Sequence, residues 1–258
     1  MRNISSLGRT LFGIALIHER RMKADDVKMY VNYKILIGLT LILFILTNTA
    51  QAEGYGLLWS YKTGNDVESV AVSSDGSYIA TGSGGKVYFF NKEGKLLWSY
   101  ETGGVEVAVS SNGSYIAAGS RDKVYFFNKE GKLLWSRVWY VVIPPAEPPA
   151  FVESVAVSSD GSYIAAGSWD DKVYFFNKEG KLLWSYKTGN VNSVAVSSDG
   201  SYIAAGSFAE VYFFNREGKL LWSYKTGSDV WSVAVSSDGS YIATGSGGKV
   251  YFLSLIHI

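Results

Sequence analysis

Few residues of this chain are of types that could perform acid–base, nucleophilic or metal chemistry, and their positions argue against a reactive centre. Histidine occurs only at His18 and His257, outside the repeated part of the sequence, and cysteine is absent. Thiolate catalysis, cysteine metal sites and a histidine centre within the repeats are therefore excluded. An Asp-Gly pair in the motif SSDGS is typical of a hairpin turn rather than of a calcium site. The aspartates of this motif are Asp75, Asp160, Asp199 and Asp238.

The overall charge is balanced, and this excludes one class of partner. Lysine and arginine total 24, and aspartate and glutamate total 23. Proteins that bind nucleic acid usually carry a basic excess or a basic stripe, so no nucleic-acid partner is expected. Hydrophobic residues make up 47% of the chain and aromatic residues 15%, which is enough for a large core and argues against disorder.

The elements that must position any functional residue are repeats. A motif close to SVAVSSDGSYIA, followed by AGS or TGS, occupies residues 69–83, 106–120, 154–168, 193–207 and 232–246. A second motif close to KVYFFNKEGKLLWS occupies residues 86–99, 123–136, 172–185 and 210–223. A period of about 40 residues with strand-like content is typical of propeller blades.

Each repeat divides into four strands joined by short turns. SVAVS and YIAAGS flank an Asp-Gly or Asn-Gly pair, which supplies the positive φ angles of a tight hairpin. KVYFFN and KLLWSYK flank Lys-Glu-Gly, and their long apolar runs indicate strands that are buried on both faces. We therefore predict an all-β fold over residues 53–252, a β-propeller of four-stranded antiparallel blades. Five repeats are visible, and the native ring has five blades or more.

Both halves of the repeat resemble known propeller families. The stretch SVAVSSDGSYIAAGS resembles the WD-repeat pattern, and VYFFNKEGKLLWSYKTG resembles the tryptophan-docking repeat of quinoprotein-type propellers. Together the two resemblances cover about residues 57–252. Because burying a large aromatic side chain contributes about 2–3 kcal/mol, we expect the repeated tryptophans to pack between blades rather than to bind a ligand. They are Trp59, Trp98, Trp135, Trp184 and Trp222.

The chain departs from both families at the residues that carry their characteristic networks and chemistry. WD repeats usually have Gly-His and Trp-Asp pairs, which are replaced here by Thr-Gly and Phe-Asn, for example Phe90-Asn91. Resemblance to quinoprotein dehydrogenases would imply a cofactor held with calcium and usually a vicinal cysteine pair, and the chain has no cysteine. We therefore predict that the protein is not an enzyme, that it has no catalytic, cofactor-binding or metal-binding residues, and that it uses no cofactor.

The amino-terminal region is predicted to direct export. Residues 35–47, ILIGLTLILFILT, form an apolar run, and Ala50-Gln51-Ala52 has the small residues of a signal-peptidase site. We expect residues 35–52 to be a signal peptide, preceded by a long basic region at 1–34 for which a start downstream of Met1 is one explanation. A spanning helix needs about 20 apolar residues, which is more than this run provides. A membrane anchor formed by residues 35–52 is therefore the alternative rather than the main prediction. The predicted location is secreted, periplasmic or at the cell surface.

The two ends of the repeated region predict how a ring would close. Residues 57–62, LLWSYK, resemble a fourth strand that precedes the first repeat, and the fifth repeat ends at 249–252 without such a strand. We expect 57–62 to pair beside 249–252 and complete the fifth blade. Residues 253–258, LSLIHI, have no counterpart in the other repeats. We predict that they are a non-native tail and that the native chain continues; a divergent final strand is the alternative.

Differences between the repeats lie in two kinds of loop, which in a propeller open on the same face. One kind follows AGS or TGS, and the other links the fourth strand to the next repeat. The link at 136–154 is the longest and contains two proline pairs, which is typical of a functional loop. We expect the aromatic residues of these loops to anchor a partner and the charged residues to form a polar rim. The predicted partner-binding residues are Arg121, Asp122, Trp139, Tyr140, Trp169, Asp170, Asp171, Phe208 and Trp231.

The sequence thus predicts a secreted or cell-surface binding module that presents this loop face to a protein, peptide or glycan. One alternative is a propeller within a larger sensor or assembly-scaffold protein. A quinoprotein-like enzyme or a hydrolase is the third candidate, and the alternative role of the loop aromatics is to cover blade edges. Contact with a membrane is expected only through an uncleaved amino-terminal segment.

Overall fold

The computed structural model describes residues 56–104, 106–138 and 151–254, and their regular structure is all β-strand. The strands form five consecutive sheets, numbered here as blades 1 to 5. Blade 1 contains β1 (Val67–Val72), β2 (Tyr78–Ser83), β3 (Lys86–Asn91) and β4 (Leu96–Glu101). Blade 2 contains β5 (Glu106–Val109), β6 (Tyr115–Gly119), β7 (Lys123–Asn128) and β8 (Leu133–Val138). Blade 3 contains β9 (Val152–Val157), β10 (Tyr163–Ser168), β11 (Lys172–Asn177) and β12 (Leu182–Lys187). Blade 4 contains β13 (Val191–Val196), β14 (Tyr202–Ser207), β15 (Glu210–Asn215) and β16 (Leu220–Lys225), and blade 5 contains β17 (Val230–Val235), β18 (Tyr241–Ser246) and β19 (Lys249–Ser254).

Each blade is an antiparallel meander in which every strand pairs with the next strand along the chain. Blades 1 to 4 have four strands and blade 5 has three. The predicted all-β fold of four-stranded antiparallel propeller blades is confirmed. The predicted tail begins inside β19, where Leu253 pairs with Ile242, and residues 255–258 lie outside the described residues, so its origin stays a prediction.

The turns of each blade are closed by the polar residues of the repeat. Asp75 accepts hydrogen bonds through Oδ1 from the Ser73 hydroxyl (2.7 Å) and the Ser77 amide (3.0 Å). Asn91, the last residue of β3, accepts a bond through Oδ1 from the Lys95 amide at 2.8 Å. Because these bonds recur in the other repeats, SSDGS and FFNKEG specify turns by local side-chain bonding.

Stability is expected to fall at low pH because of the turn aspartates. The pKa of three turn aspartates is lowered from the ordinary 3.8 to about 2, mainly by a hydrogen bond from a serine side chain. The pairs are Asp75 with Ser73, Asp199 with Ser201, and Asp238 with Ser236. A carboxylate with a lowered pKa in the folded state contributes stability above the unfolded pKa, and this contribution is lost as pH falls through the folded pKa. We therefore expect the melting temperature, followed by circular dichroism, to drop between about pH 4 and pH 2.

The control for this pH dependence exists within the chain. Blade 2 has Asn112 at the aspartate position, and Asn112 Oδ1 accepts the same amide bond from Ser114 at 2.9 Å. The triple variant Asp75→Asn, Asp199→Asn and Asp238→Asn should therefore keep its turns and lose part of the acid sensitivity. An unchanged acid transition in this variant would show that other carboxylates dominate it.

The core lies between neighbouring blades. Val87 and Phe89 of blade 1 pack against Val107, Ile116 and Phe127 of blade 2, and all five side chains are buried. Equivalent clusters join blades 2 and 3, 3 and 4, and 4 and 5. The central strands are therefore apolar on both faces, which explains their continuous apolar runs in the sequence.

The repeated tryptophans link one blade to the next. The Trp98 ring lies 5.2 Å from that of Phe89 in its own blade and 5.3 Å from that of Phe127 in the next. Its indole Nε1–H donates to the Lys129 carbonyl at 2.9 Å. Trp135 and Trp184 repeat this arrangement, so the prediction that the repeated tryptophans pack between blades is confirmed for Trp98, Trp135 and Trp184.

The innermost strands are joined by a side-chain bond that repeats between blades. The Val107 amide donates to the Ser69 hydroxyl oxygen at 3.1 Å. The Val194 amide donates to Ser154, and the Val233 amide to Ser193, also at 3.1 Å. Blade 2 has Glu106 at the position of this serine.

The predicted pairing of 57–62 with 249–252 is wrong. β19 pairs only with β18 among the described residues, and 58–62 form no strand. Trp59 packs on blade 1 instead, with its ring 5.5 Å from Phe90 and its Nε1–H donating to the Lys92 carbonyl at 2.9 Å. This contact holds the segment at the first blade. The inner strands of the five blades pack against one another in the order β1, β5, β9, β13 and β17.

Candidate functional site

The two variable loop types lie together on one face of the blades. The turn between the second and third strands of a blade accepts bonds from the link that follows its fourth strand. Thus the Thr102 amide donates to the Gly85 carbonyl (2.9 Å), and the Thr226 amide donates to the Ala209 carbonyl (2.9 Å). We call this surface the loop face, defined by residues 84–85, 102–104, 121–122, 169–171, 188–190, 208–209, 226–229 and 247–248 together with Trp231, which follows the last link.

Two residues of the loop face adopt left-handed backbone conformations without being glycine. Asp171 has a φ of 67° and Ala209 a φ of 60°, at turn positions that are glycine in blades 1 and 5. Such a conformation costs about 1–2 kcal/mol for a residue with a Cβ. The loop face therefore carries sequence differences that the hairpins accommodate with strain.

Three predicted aromatic residues are exposed on or beside this face. Trp169 is 46% exposed, Phe208 72% and Trp231 68%. Trp169 contacts Phe151 edge to face at 5.5 Å, and its amide donates to the Phe151 carbonyl at 3.0 Å. Among the described residues, none of the three rings contacts another of the three. Trp139 and Tyr140 lie outside the described residues.

A cleft of about 370 Å³ opens where blades 1, 2 and 3 meet. Its lining includes three glutamates, together with the predicted residue Arg121 and the aromatic side chain of Phe151. The glutamates come from three inner strands and are Glu68, Glu106 and Glu153. The Gly104 backbone in the cleft lies so close to β6 that an added Cβ would come within 2.1 Å of Ser120 Cα.

Two glutamates of this cleft, Glu106 and Glu153, have raised pKa values. Burial is the main cause that raises the pKa of Glu106. A hydrogen bond with the Ser69 side chain lowers this pKa, and the negative charges of Glu153 and Glu68 raise it. Burial also raises the pKa of Glu153. The cleft therefore places carboxyl groups where a cationic or hydrogen-bonding group would be favoured next to them.

Sequence reasoning missed these glutamates, although a signal was present. The second residue of the inner strand is Glu68 in blade 1, Glu153 in blade 3, Asn192 in blade 4 and Trp231 in blade 5. The three residues that follow it, Ser-Val-Ala, are the same in these four strands. A single variable position within an otherwise identical strand indicates a surface that the fold does not constrain.

Asp170 and Asp171, two residues predicted to form a polar rim, are bonded within blade 3. Tyr174 Oη donates to Asp170 Oδ2, and burial is the main cause that raises the pKa of Tyr174, followed by this hydrogen bond. Asn190 Nδ2 donates to Asp171 Oδ1 at 2.8 Å when its amide is oriented to satisfy its neighbours. Asp122 is partly buried and Arg121 is exposed.

The Asp170 contact replaces a bond that the other blades make with their backbone. The equivalent tyrosines donate to the carbonyl of a threonine in the preceding link, as Tyr125 does to Thr102 at 3.2 Å and Tyr212 to Thr188 at 3.1 Å. The link before blade 3 has no Thr-Gly pair. Asp170, in the Trp-Asp-Asp turn, supplies the acceptor instead. The predicted role of the nine loop residues in binding a partner stays a prediction.

The described residues show no arrangement for metal chemistry. No group of three or more histidine, cysteine, aspartate or glutamate side chains in residues 56–104, 106–138 and 151–254 could hold a metal ion. The same stretches contain no helix that is long and apolar enough to cross a membrane.

Comparison with known families agrees with the fold. A model of a PQQ-type repeat, described as outer membrane protein assembly factor BamB, matches residues 49–139 and 121–255. The two matches together span all five blades, and the predicted resemblance to quinoprotein-type propellers is confirmed. A search of curated proteins found no match.

Proposed function

Because the chain belongs to the family of the outer membrane protein assembly factor BamB, we propose that it is a non-enzymatic propeller that binds a protein segment on its loop face. The observation that carries this proposal is where the repeats differ. Blades of nearly identical sequence differ mainly in the turns and links of one face, and three large aromatic side chains are exposed there. The apolar side chains of the central strands pack instead between neighbouring blades.

The chemistry of the loop face suits a protein partner. Exposed Trp169, Phe208 and Trp231 offer apolar anchors, and a buried aromatic anchor typically contributes about 2 kcal/mol or more to a protein interface. The cleft, which is lined in part by the Phe151 residue that Trp169 contacts, adds carboxyl groups and the guanidinium of Arg121. A polypeptide with apolar and basic side chains can use both kinds of group.

The proposed location is outside the cytoplasm, in the periplasm or at the outer surface. Two observations support it: the apolar run at 35–47 followed by Ala50-Gln51-Ala52, and the outer-membrane role in the name of the matching family. Amino-terminal sequencing of the exported protein is expected to begin at Glu53. Recovery of the intact segment 35–52 would instead favour the membrane-anchor alternative.

Photo-crosslinking in intact cells tests the loop face. A benzoylphenylalanine placed at Phe208 or Trp231 is expected to give a discrete protein adduct, because these side chains are exposed on the proposed binding surface. The matched control is the same group at Leu183, an exposed residue of β12 away from this face. The substitution Trp169→Ala should reduce the Phe208 adduct several-fold and leave the melting temperature nearly unchanged.

Two results would contradict the proposal. Equal adducts from Leu183 and from Phe208 would show collisions rather than a binding face. A large drop in melting temperature for Trp169→Ala with full adduct formation would assign Trp169 to the fold.

A further inference from the structure

The turn between β5 and β6 differs from the equivalent turns of the other blades by one residue. Blade 2 has Asn112-Gly113-Ser114 where the other four blades have Asp-Gly-Ser. Asparagine followed by any residue except proline, and then by serine or threonine, is the acceptor sequence for N-linked glycosylation. The change from aspartate to asparagine therefore creates an acceptor sequence in this turn alone among the five repeats.

The side-chain nitrogen of Asn112 is available for such a modification. Asn112 is exposed, and its Oδ1 accepts hydrogen bonds from the Ser114 amide at 2.9 Å and the Ser110 hydroxyl at 3.2 Å. Its Nδ2, the atom to which an N-linked glycan is attached, donates no hydrogen bond within the residues that the structure describes. The acceptor nitrogen is therefore not needed to hold the turn.

The hydroxyl of Ser114, the second group that defines the acceptor sequence, is also free. In the other four blades the equivalent hydroxyl donates to the second carboxylate oxygen of the turn aspartate at 2.5–2.7 Å. Asparagine has an NH₂ group in place of that oxygen, and Ser114 Oγ makes no hydrogen bond in the described part of the chain. Blade 2 therefore exposes both groups that the acceptor sequence requires.

Main-chain hydrogen bonds hold this turn in place. The Gly113 amide donates to the Ser110 carbonyl at 2.9 Å, and the Ser111 amide donates to the Ser159 carbonyl of blade 3 at 3.0 Å. A group attached to Asn112 Nδ2 removes neither of these bonds. The folded blade can therefore carry a bulky, hydrated substituent at this position.

The turn lies at the end of blade 2 that is away from the loop face. β6 begins directly after the turn and ends at Gly119, and Arg121 of the loop face follows it. At about 3.3 Å per residue, β6 and its flanking residues separate the turn from Arg121 by about 20 Å. A glycan at Asn112 would therefore leave the loop face open to a partner.

We propose that Asn112 is N-glycosylated in the exported protein. This inference goes beyond the binding of a partner, and it rests on the proposed location outside the cytoplasm. The chain has one other acceptor sequence, Asn3-Ile4-Ser5, which precedes the predicted signal peptide and would be absent from a chain that begins at Glu53.

The attachment is a group transfer to the Asn112 amide. Nδ2 forms a bond to the anomeric carbon of an oligosaccharide that is carried on a lipid phosphate. The bond between this carbon and the phosphate oxygen breaks, and the lipid phosphate leaves with the electron pair. One amide proton passes to a base of the transferase, so no oxidant or reductant is required.

Mass spectrometry of the full chain, recovered from outside the cytoplasm of the organism that produces it, tests the proposal. Trypsin cleaves after Lys95 and Arg121, so residues 96–121 form one peptide that contains Asn112. We expect this peptide to carry a mass increase made of sugar units, and fragmentation should assign it to Asn112. The amino terminus of the same sample reports whether the signal peptide has been removed.

Variants of the two free groups provide matched controls. Asn112→Asp should lose the glycan completely and keep its fold, because aspartate occupies this position in the other four blades. Ser114→Thr should keep the glycan and Ser114→Ala should lose it, although neither change touches Asn112. The Phe208 adduct of the crosslinking experiment should be the same in all three variants as in the unmodified chain.

A gain of modification is expected from the reverse change in blade 1. Asp75→Asn gives that blade the same turn sequence as blade 2. This variant should carry a second glycan, on the tryptic peptide of residues 63–86, in addition to the one at Asn112. The second glycan would show that the turn sequence is sufficient.

Three results would overturn the inference. An unmodified peptide 96–121 from the exported chain would do so and would leave the proposed function standing. A sugar mass that persists in both Asn112→Asp and Ser114→Ala would assign the attachment to a different residue. A chain that stays in the cytoplasm without a glycan would contradict the proposed location as well. Loss of the Phe208 adduct from a glycosylated chain would contradict the loop face alone and support the present inference.

Discussion

Replacing Trp135 with alanine is expected to lower the free energy of unfolding by about 3–5 kcal/mol. The side chain is 9% exposed, and its ring lies 5.3 Å from that of Phe126 in blade 2 and 5.7 Å from that of Phe176 in blade 3. Its Nε1–H donates to the Lys178 carbonyl at 2.8 Å. The substitution removes both ring contacts and the hydrogen bond at once, and urea unfolding measures the loss.

Trp222 provides the matched control for this effect. It lies 5.5 Å from Phe213 in its own blade, but Leu253 occupies the position of the next blade's phenylalanine. Its buried Nε1 has no hydrogen-bond partner in the part of the chain that the structure describes. Trp222→Ala should therefore cost clearly less than Trp135→Ala. Equal losses for the two variants would show that contacts within a blade, rather than between blades, carry the contribution of the tryptophan.

The second large effect is expected from adding one methyl group at Gly161. This turn residue has a φ of 75°, and a Cβ there would lie 2.2 Å from Tyr115 Cδ2 in the neighbouring blade. The Tyr115 ring is stacked on Phe126 with centroids 5.4 Å apart, so it cannot move away freely. Gly161→Ala should cost about 1–2 kcal/mol for the backbone conformation and a further 1–3 kcal/mol for overpacking.

Gly76→Ala separates these two contributions. Gly76 is the equivalent turn residue of blade 1, with a φ of 70°, but a Cβ there meets nothing within 4 Å. The two variants share the backbone cost, so the difference between their unfolding free energies measures the packing of one blade on the next. A Gly76→Ala loss as large as that of Gly161→Ala would mean that the backbone conformation alone accounts for both.

The fold could be predicted from sequence because the residues that form the turns and strands of each repeat lie within that repeat. Asp-Gly and Asn-Lys-Glu-Gly specify turns through bonds over two to four residues, and the strands between them are β-branched or aromatic. These interactions are local or fall between adjacent repeats. Comparing five copies in one chain also separated what packing requires from what varies.

The position of residues 57–62 could not be predicted in the same way. The sequence showed one segment that resembles a fourth strand and one repeat that lacks a fourth strand. It did not show which blade the segment contacts. Trp98 stacks on a phenylalanine of its own blade and on one of the next blade, so a Trp59 that completed blade 5 would contact both Phe252 and Phe90. Among the described residues Trp59 makes the second of these contacts, with Phe90, and the sequence did not show that the first would be absent.

The candidate site was predicted in part for a related reason. Exposed Trp169, Phe208 and Trp231 were found because they interrupt a repeated pattern. Glu68, Glu106 and Glu153 were missed, because their proximity depends on three inner strands meeting at one cleft. Asp170 appeared to be a free surface charge, and its bond to Tyr174 could not be inferred without knowing that the preceding link lacks its usual acceptor.

The near-identity of the interfaces between blades has a consequence for how this protein can change over generations. Each blade offers one face to its predecessor and the other to its successor, and equivalent valines, phenylalanines and a tryptophan meet at the junctions, with Leu253 in place of one phenylalanine between blades 4 and 5. A gene that gains or loses one whole repeat by recombination would therefore create no new kind of junction. Repeat number can vary without any compensating substitution, while the loop face gains or loses one set of binding residues at each step.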